Sequence, residues 1–123
     1  MRSLLLVSFC VALPLGSALA ADAIEVLADP AAVTGEVKEI RISKMKFDQP
    51  EIRVKTGSVV TWVNTEALPH NVHFLVDSSD KSKDIQGPML RANQKYSVRF
   101  NQAGTYEYTC TPHPFMKAKV IAE

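Results

Sequence analysis

Cys110-Thr111-Pro112-His113-Pro114-Phe115-Met116 lies within the last fourteen residues of this 123-residue chain. It sets a thiol, an imidazole and a thioether at successive spacings of three. Thiolate and thioether are soft donors that favour Cu(I), and imidazole serves both common oxidation states of copper. Two His and one Cys in a trigonal plane, with a weak axial Met, form the ligand set of blue-copper electron-transfer sites. The run supplies three of those four donors. Pro112 and Pro114 restrict the backbone on both sides of His113. The donors therefore sit on a short, stiff loop that relaxes little when a metal changes oxidation state.

The fourth donor must come from elsewhere, and the chain offers His70 and His73. Side chains of a strand alternate faces with period two. A separation of three puts these two imidazoles on opposite sides of a regular strand, so both cannot reach one ion. His70 follows Pro69 at a loop-to-strand junction and is the better candidate. His73 lies inside Val72-His73-Phe74 and reads as a structural or surface residue.

The text around these residues is β throughout. Val37, Ile40 and Ile42 are interleaved with charge, and Glu51-Ile52-Arg53-Val54-Lys55 alternates. Thr56-Gly57 is a turn signal, and Ser58 to Asn64 is rich in β-branched residues. Asn71 to Val76 follows, then a polar segment from Asp77 to Gln86 closed by Gly87-Pro88, with room for one helical turn in 77–92. Lys95 to Phe100 alternates again. Thr105 to Cys110 and Lys117 to Ala122 are the last strands. Short strands divided by Gly, Pro and Asn turns predict an antiparallel sandwich.

The first twenty residues read as an export signal. Arg2 gives a positive start, Leu4 to Leu15 an apolar stretch, and Ala18-Leu19-Ala20 a cleavage site. The apolar run is too short for a membrane span. Cleavage after Ala20 leaves 103 residues with 13 basic and 13 acidic side chains. Such a length supports one core, burying roughly 65% of the unfolded surface. A neutral chain without a Lys/Arg cluster gives no case for nucleic acid or an anionic membrane surface. Residues 21–35, Ala-rich with Pro30 and Gly35, read as an N-terminal extension to a domain over 36–123. The chain has two cysteines, and only Cys110 survives cleavage, so no internal disulfide forms. A lone thiol in an oxidising compartment calls for a use, and the neighbouring His and Met point to metal ligation.

Other chemistries fit less well. Structural zinc sites use Cys and His, seldom Met, and their usual second Cys is absent. A Cys–His dyad would need a third group to orient the base, and the motif holds none. A multicopper enzyme needs more His than the three present, two of which one site consumes. A copper carrier would use a more open, Met/His-rich site.

Pro69-His70-Asn71-Val72-His73-Phe74, Gly87-Pro88-Met89, Gly104-Thr105-Tyr106 and the Cys110–Met116 run together resemble the amicyanins, type 1 copper proteins of the cupredoxin family. The resemblance runs from Lys44-Met45-Lys46 to the end and covers most of 36–123. Cys-x2-His-x2-Met is the short amicyanin loop. Pseudoazurins and plastocyanins carry a longer His-to-Met spacing, and azurins a longer Cys-to-His one. The resemblance implies an all-β, cupredoxin-like Greek-key β-sandwich with one type 1 copper at one end. His70, Cys110 and His113 would bind it, with Met116 axial, and Asn71 would tie the two ligand loops together. It further implies a monomeric periplasmic electron carrier rather than an enzyme. Its donor would be methylamine dehydrogenase or a related amine dehydrogenase, and its acceptor a c-type cytochrome. Electrons would pass through the exposed edge of His113, ringed by Met45, Leu68, Pro69, Met89, Leu90, Pro112, Pro114 and Phe115. A patch of this kind suits a transient interface of under about 1,200 Å². Leu68 stands where close relatives would carry Met, and 77–86 is more charged than the family leads one to expect.

Overall fold

The apolar alternation along the chain resolves into ten strands in the computed structural model, which describes residues 23–29, 33 and 35–123. They are β1 (Ile24–Leu27), β2 (Val37–Ser43), β3 (Lys46–Phe47), β4 (Glu51–Val54), β5 (Val59–Asn64), β6 (His73–Phe74), β7 (Ile85–Gln86), β8 (Lys95–Phe100), β9 (Gly104–Cys110) and β10 (His113–Ala122). One 3-10 turn, Lys81–Lys83, falls where the polar segment left room for a helical turn. The export signal expected over residues 1–20 lies outside the described residues, as does part of 21–35. No helix of the described residues is long and apolar enough to cross a membrane.

Two five-stranded sheets form, in the orders β1-β8-β5-β2-β3 and β4-β10-β9-β6-β7. The chain crosses repeatedly from one sheet to the other, which gives the cupredoxin-like sandwich. Two pairings depart from the antiparallel expectation: β2 runs parallel to β5 and β4 parallel to β10. For β2 and β5 the cause is the crossover, because the chain passes to the second sheet at β4 before β5 returns to lie beside β2. Residues 24–27, read from sequence as part of an extension, form the edge strand β1 on β8, with Ile24 opposite Phe100 and buried in the core. Four residues beside an Ala-rich stretch carry too little pattern to show as a strand, and β8 supplies the template.

The interior is aromatic. Trp62, on the wholly buried β5, meets Tyr108 edge to face at 5.3 Å and Phe74 at 5.8 Å. Phe47 and Phe100 extend the cluster through Tyr108 and Phe74. Edge-to-face pairs add about 0.5–1.5 kcal/mol each beyond area burial. Burial pushes the Tyr108 phenol well above its ordinary pKa, with the nearby Trp62 indole opposing slightly. Trp62 Nε1 and Tyr108 Oη nonetheless lack a well-formed hydrogen-bond partner. Each such buried polar atom costs about 1–3 kcal/mol, which the aromatic packing offsets.

Gly87 closes the polar segment against this core. Its N–H donates to the Val72 carbonyl at 2.8 Å. A Cβ placed there would lie 2.8 Å from that same carbonyl oxygen and 3.1 Å from the Tyr96 ring. Backbone cannot yield as a flexible side chain can, so Gly87→Ala should destabilise the metal-free protein by about 1–3 kcal/mol. Thermal denaturation checks this, and an unchanged Tm would show that the loop yields freely.

Candidate metal centre

Two loops meet at one end of the sandwich. The first leaves β5 and carries His70, which is locked to Leu90 by reciprocal backbone hydrogen bonds of 3.2 and 2.7 Å. The second joins β9 to β10. Cys110 ends β9 and pairs with His113, and a register shift between His113 and Lys117 lets the loop bulge before the ladder resumes. Cys110 and His70 are fully buried and His113 is half-buried. Met116, 3% exposed, sits within the bulge.

His70, Cys110 and His113 converge, with one donor atom from each lying within 4.8 Å of the others. Cys110 Sγ is 3.7 Å from His70 Nδ1 and 3.6 Å from His113 Nδ1. First-row metal bonds of about 2.0–2.1 Å to nitrogen and about 2.3 Å to sulfur, opened to about 110–120°, place N and S about 3.5–3.8 Å apart. The donors fit a single ion of that size. A buried thiol between two imidazoles suits copper, for the ligand-softness reasons already given.

Hydrogen bonds from outside the cluster hold these side chains. Glu66 Oε2 lies 2.6 Å from His70 Nε2. A carboxylate only accepts, so Nε2 carries the proton and the Nδ1 lone pair is left facing Cys110, the arrangement that fixes a ligating imidazole. Burial works against the charge on Glu66. The bonds to His70 and to the Met45 N–H outweigh it and hold the carboxyl below its ordinary range. Sequence reasoning did not single out Glu66. Its only signal was an acid four residues before His70.

Asn71 spans the two loops. Its Oδ1 accepts from the Thr111 N–H at 2.7 Å, and its Nδ2 donates to Thr111 Oγ1 at 2.8 Å and to the Gly87 carbonyl at 3.1 Å. His73 stays out of the cluster, although not for the period-two reason: His70 forms an isolated bridge, β6 begins only at His73, and the two share no regular strand. Its ring nitrogens meet Thr111 Oγ1 at 3.0 Å and Asp84 Oδ2 at 3.1 Å.

Phe115, 67% exposed, lies 6.1 Å from His113 between ring centroids. Leu68, Pro69, Met89, Pro112 and Pro114 are exposed and Met45 is half-buried. Leu90 corrects the sequence reading. It is 3% exposed and belongs to the core, because the two backbone bonds that fix His70 also turn the Leu90 side chain inward. It supports the loop and offers no docking surface.

Comparison with known proteins agrees with this fold and site. The model of copper-binding proteins of the plastocyanin/azurin family matches residues 34–123, and the chain belongs to that family. It is 55% identical to Amicyanin-alpha of Methylorubrum extorquens over 123 residues, all of both chains. It is 51% identical to amicyanin of Paracoccus denitrificans over 84 residues, which is 68% of this chain and 63% of the relative. Among solved structures, the Cu(I) form of a mutant of amicyanin superposes with a TM-score of 0.73 at 43% identity, covering 83% of this chain and all of the other. The amicyanin resemblance thus holds in sequence and in fold, and the protein is a type 1 copper electron carrier.

The polar segment beside the site contributes its own electrostatics. Hydrogen bonds from Ser79 and then Lys83 pull Asp77 down to about 2 from an ordinary 3.8. At Asp84, burial opposes ionisation, but the Val76 N–H and His73 outweigh it and leave the pKa lowered. A carboxylate with a depressed folded-state pKa stabilises above its unfolded pKa, and that contribution fades as pH falls toward the folded value. Stability of the metal-free protein should therefore decline as pH drops from 3.8 toward about 2. Asp77→Asn should make that decline shallower in thermal scans across this range; an identical profile would show that Asp77 contributes nothing.

Proposed function

We propose that this chain shuttles electrons in the periplasm from methylamine dehydrogenase, or a related amine dehydrogenase, to a c-type cytochrome. In this reading His70, Cys110 and His113 would hold the copper, with Met116 as a further, weaker donor. The observation that carries it is the convergence of two imidazoles and one buried thiol, with the exposed Phe115 ring beside His113. The export signal read over residues 1–20 and the single cysteine beyond it support the periplasmic assignment.

Bound copper supplies one-electron cycling between Cu(II) and Cu(I). The chain's residues do the rest. Pro112 and Pro114 limit movement of His113, the β9 ladder fixes Cys110, and Glu66 holds the His70 ring. A site that cannot follow the metal's preferred geometry in either state reorganises little, which suits fast transfer. His113 is the donor-bearing side chain nearest solvent and forms the path outward. Leu68, Pro69, Met89, Pro112, Pro114 and Phe115 surround that path with apolar, uncharged surface, with Met45 at its margin. Such a rim excludes water during an encounter without binding tightly.

The reading is tested by adding one equivalent of Cu(II) to the mature protein. An intense blue band with narrow copper hyperfine splitting is expected, and Cys110→Ser should abolish it, since the band is a thiolate-to-copper transition. A blue Cys110→Ser protein would overturn the ligand set. Phe115→Ala should slow electron transfer with the amine dehydrogenase about 5- to 30-fold, the range for truncating an interface anchor, and leave the visible spectrum unchanged. A collapsed spectrum would instead place Phe115 in support of the site.

A further inference from the structure

His73 is singled out by its sequence position and unused by the metal cluster, yet the fold holds it at both ring nitrogens. Nε2 faces Asp84 Oδ2 at 3.1 Å, and Nδ1 faces Thr111 Oγ1 at 3.0 Å. Asp84 is itself anchored, since its Oδ1 accepts from the Val76 N–H at 3.1 Å. The Asp84 side chain is 6% exposed and that of His73 20%, so neither is a freely moving surface group.

The donors and acceptors run in one direction. Asp84 as a carboxylate only accepts, so His73 donates from Nε2–H, and in the neutral imidazole Nδ1 is left as an acceptor. The Thr111 hydroxyl then donates to Nδ1. This turns its oxygen lone pairs toward Asn71, whose Nδ2 donates to Thr111 Oγ1 at 2.8 Å. Asn71 is adjacent to His70, and Thr111 is adjacent to Cys110. The chain Asp84–His73–Thr111–Asn71 therefore runs from the polar segment after β6 to the bond that joins the two donor-bearing loops.

We infer that His73, oriented by Asp84, is a positioning residue for the copper site: it sets the Thr111 hydroxyl so that Asn71 can lock the His70 loop onto the Cys110–His113 loop. This rests on the ligand set proposed above. His73 touches no reacting atom and acts only through Thr111. Asp84 belongs to the 77–86 segment, more charged here than the family resemblance leads one to expect, so that segment gains a function at the metal rather than at the surface alone.

The test uses the copper-loaded protein and its His73→Phe, Asp84→Ala and His73→Asn variants. Loss of a hydrogen-bonded partner outside the ligands typically weakens metal binding 10- to 100-fold. His73 acts one bond further out, so His73→Phe should speed Cu(I) release to a chelator by about 3- to 10-fold. Asp84→Ala should act in the same direction, and both should broaden the copper hyperfine lines as donor positions spread. In His73→Asn the amide oxygen takes the place of Nδ1 but the bond to Asp84 is lost, so release should fall between that of His73→Phe and that of the unsubstituted protein. Nitrogen NMR of the metal-free protein should find His73 as the Nε2–H tautomer. If His73→Phe does not fold, Asp84→Ala and the tautomer carry the test. Unchanged release and linewidths in the variants that fold, or an Nδ1–H tautomer, would overturn the inference. A protein that never turns blue would refute the ligand set instead, leaving the tautomer to decide the role of His73.

Discussion

The site depends on a bond between two loops that the sheets alone would not bring into register. His70 arrives from β5 in one sheet, while Cys110 and His113 belong to β9 and β10 in the other. Sheet packing sets such elements about 10 Å apart, too coarse a constraint for donor atoms that must sit a few ångströms from one another. Asn71 closes that gap with two hydrogen bonds to Thr111 and one to Gly87. In a buried setting each is worth more than its solvent-exposed equivalent, because the alternative is an unpaired amide. The aromatic core beneath fixes both strands from which the loops spring.

Much of this was legible in the sequence, and the reasons are specific. The Cys110–Met116 spacing names its chemistry because few donor sets combine a thiol, an imidazole and a thioether. Period-two alternation favours His70 over His73, although in the fold the two share no regular strand. Long alternating or β-branched stretches such as 59–64 and 95–100 appear as strands because their burial demands the pattern.

What sequence reading missed follows from short range and missing context. β1 is four residues templated by β8, so its signal lies in a partner about seventy residues away. Parallel pairing of β2 with β5 depends on a crossover, which local pattern does not encode. Leu90 is apolar like its exposed neighbour Met89, and residue type cannot say which of the two faces inward. Glu66 and Asp84 are single acids among thirteen. Only the fold shows that one reaches a histidine of the cluster and the other the histidine left outside it.

Every contact that gathers the donors, from Glu66 to His70, from His70 to Leu90 and from Asn71 to Thr111, is made between protein groups. Folding therefore supplies part of the free energy that gathers the donors. A structural zinc module leans on the ion for that step, since its chain stays unfolded until metal arrives. The half-buried His113 side is the donor side nearest solvent, and so the shortest way in for an ion. Metal occupancy then adds to the stability of the folded state by mass action.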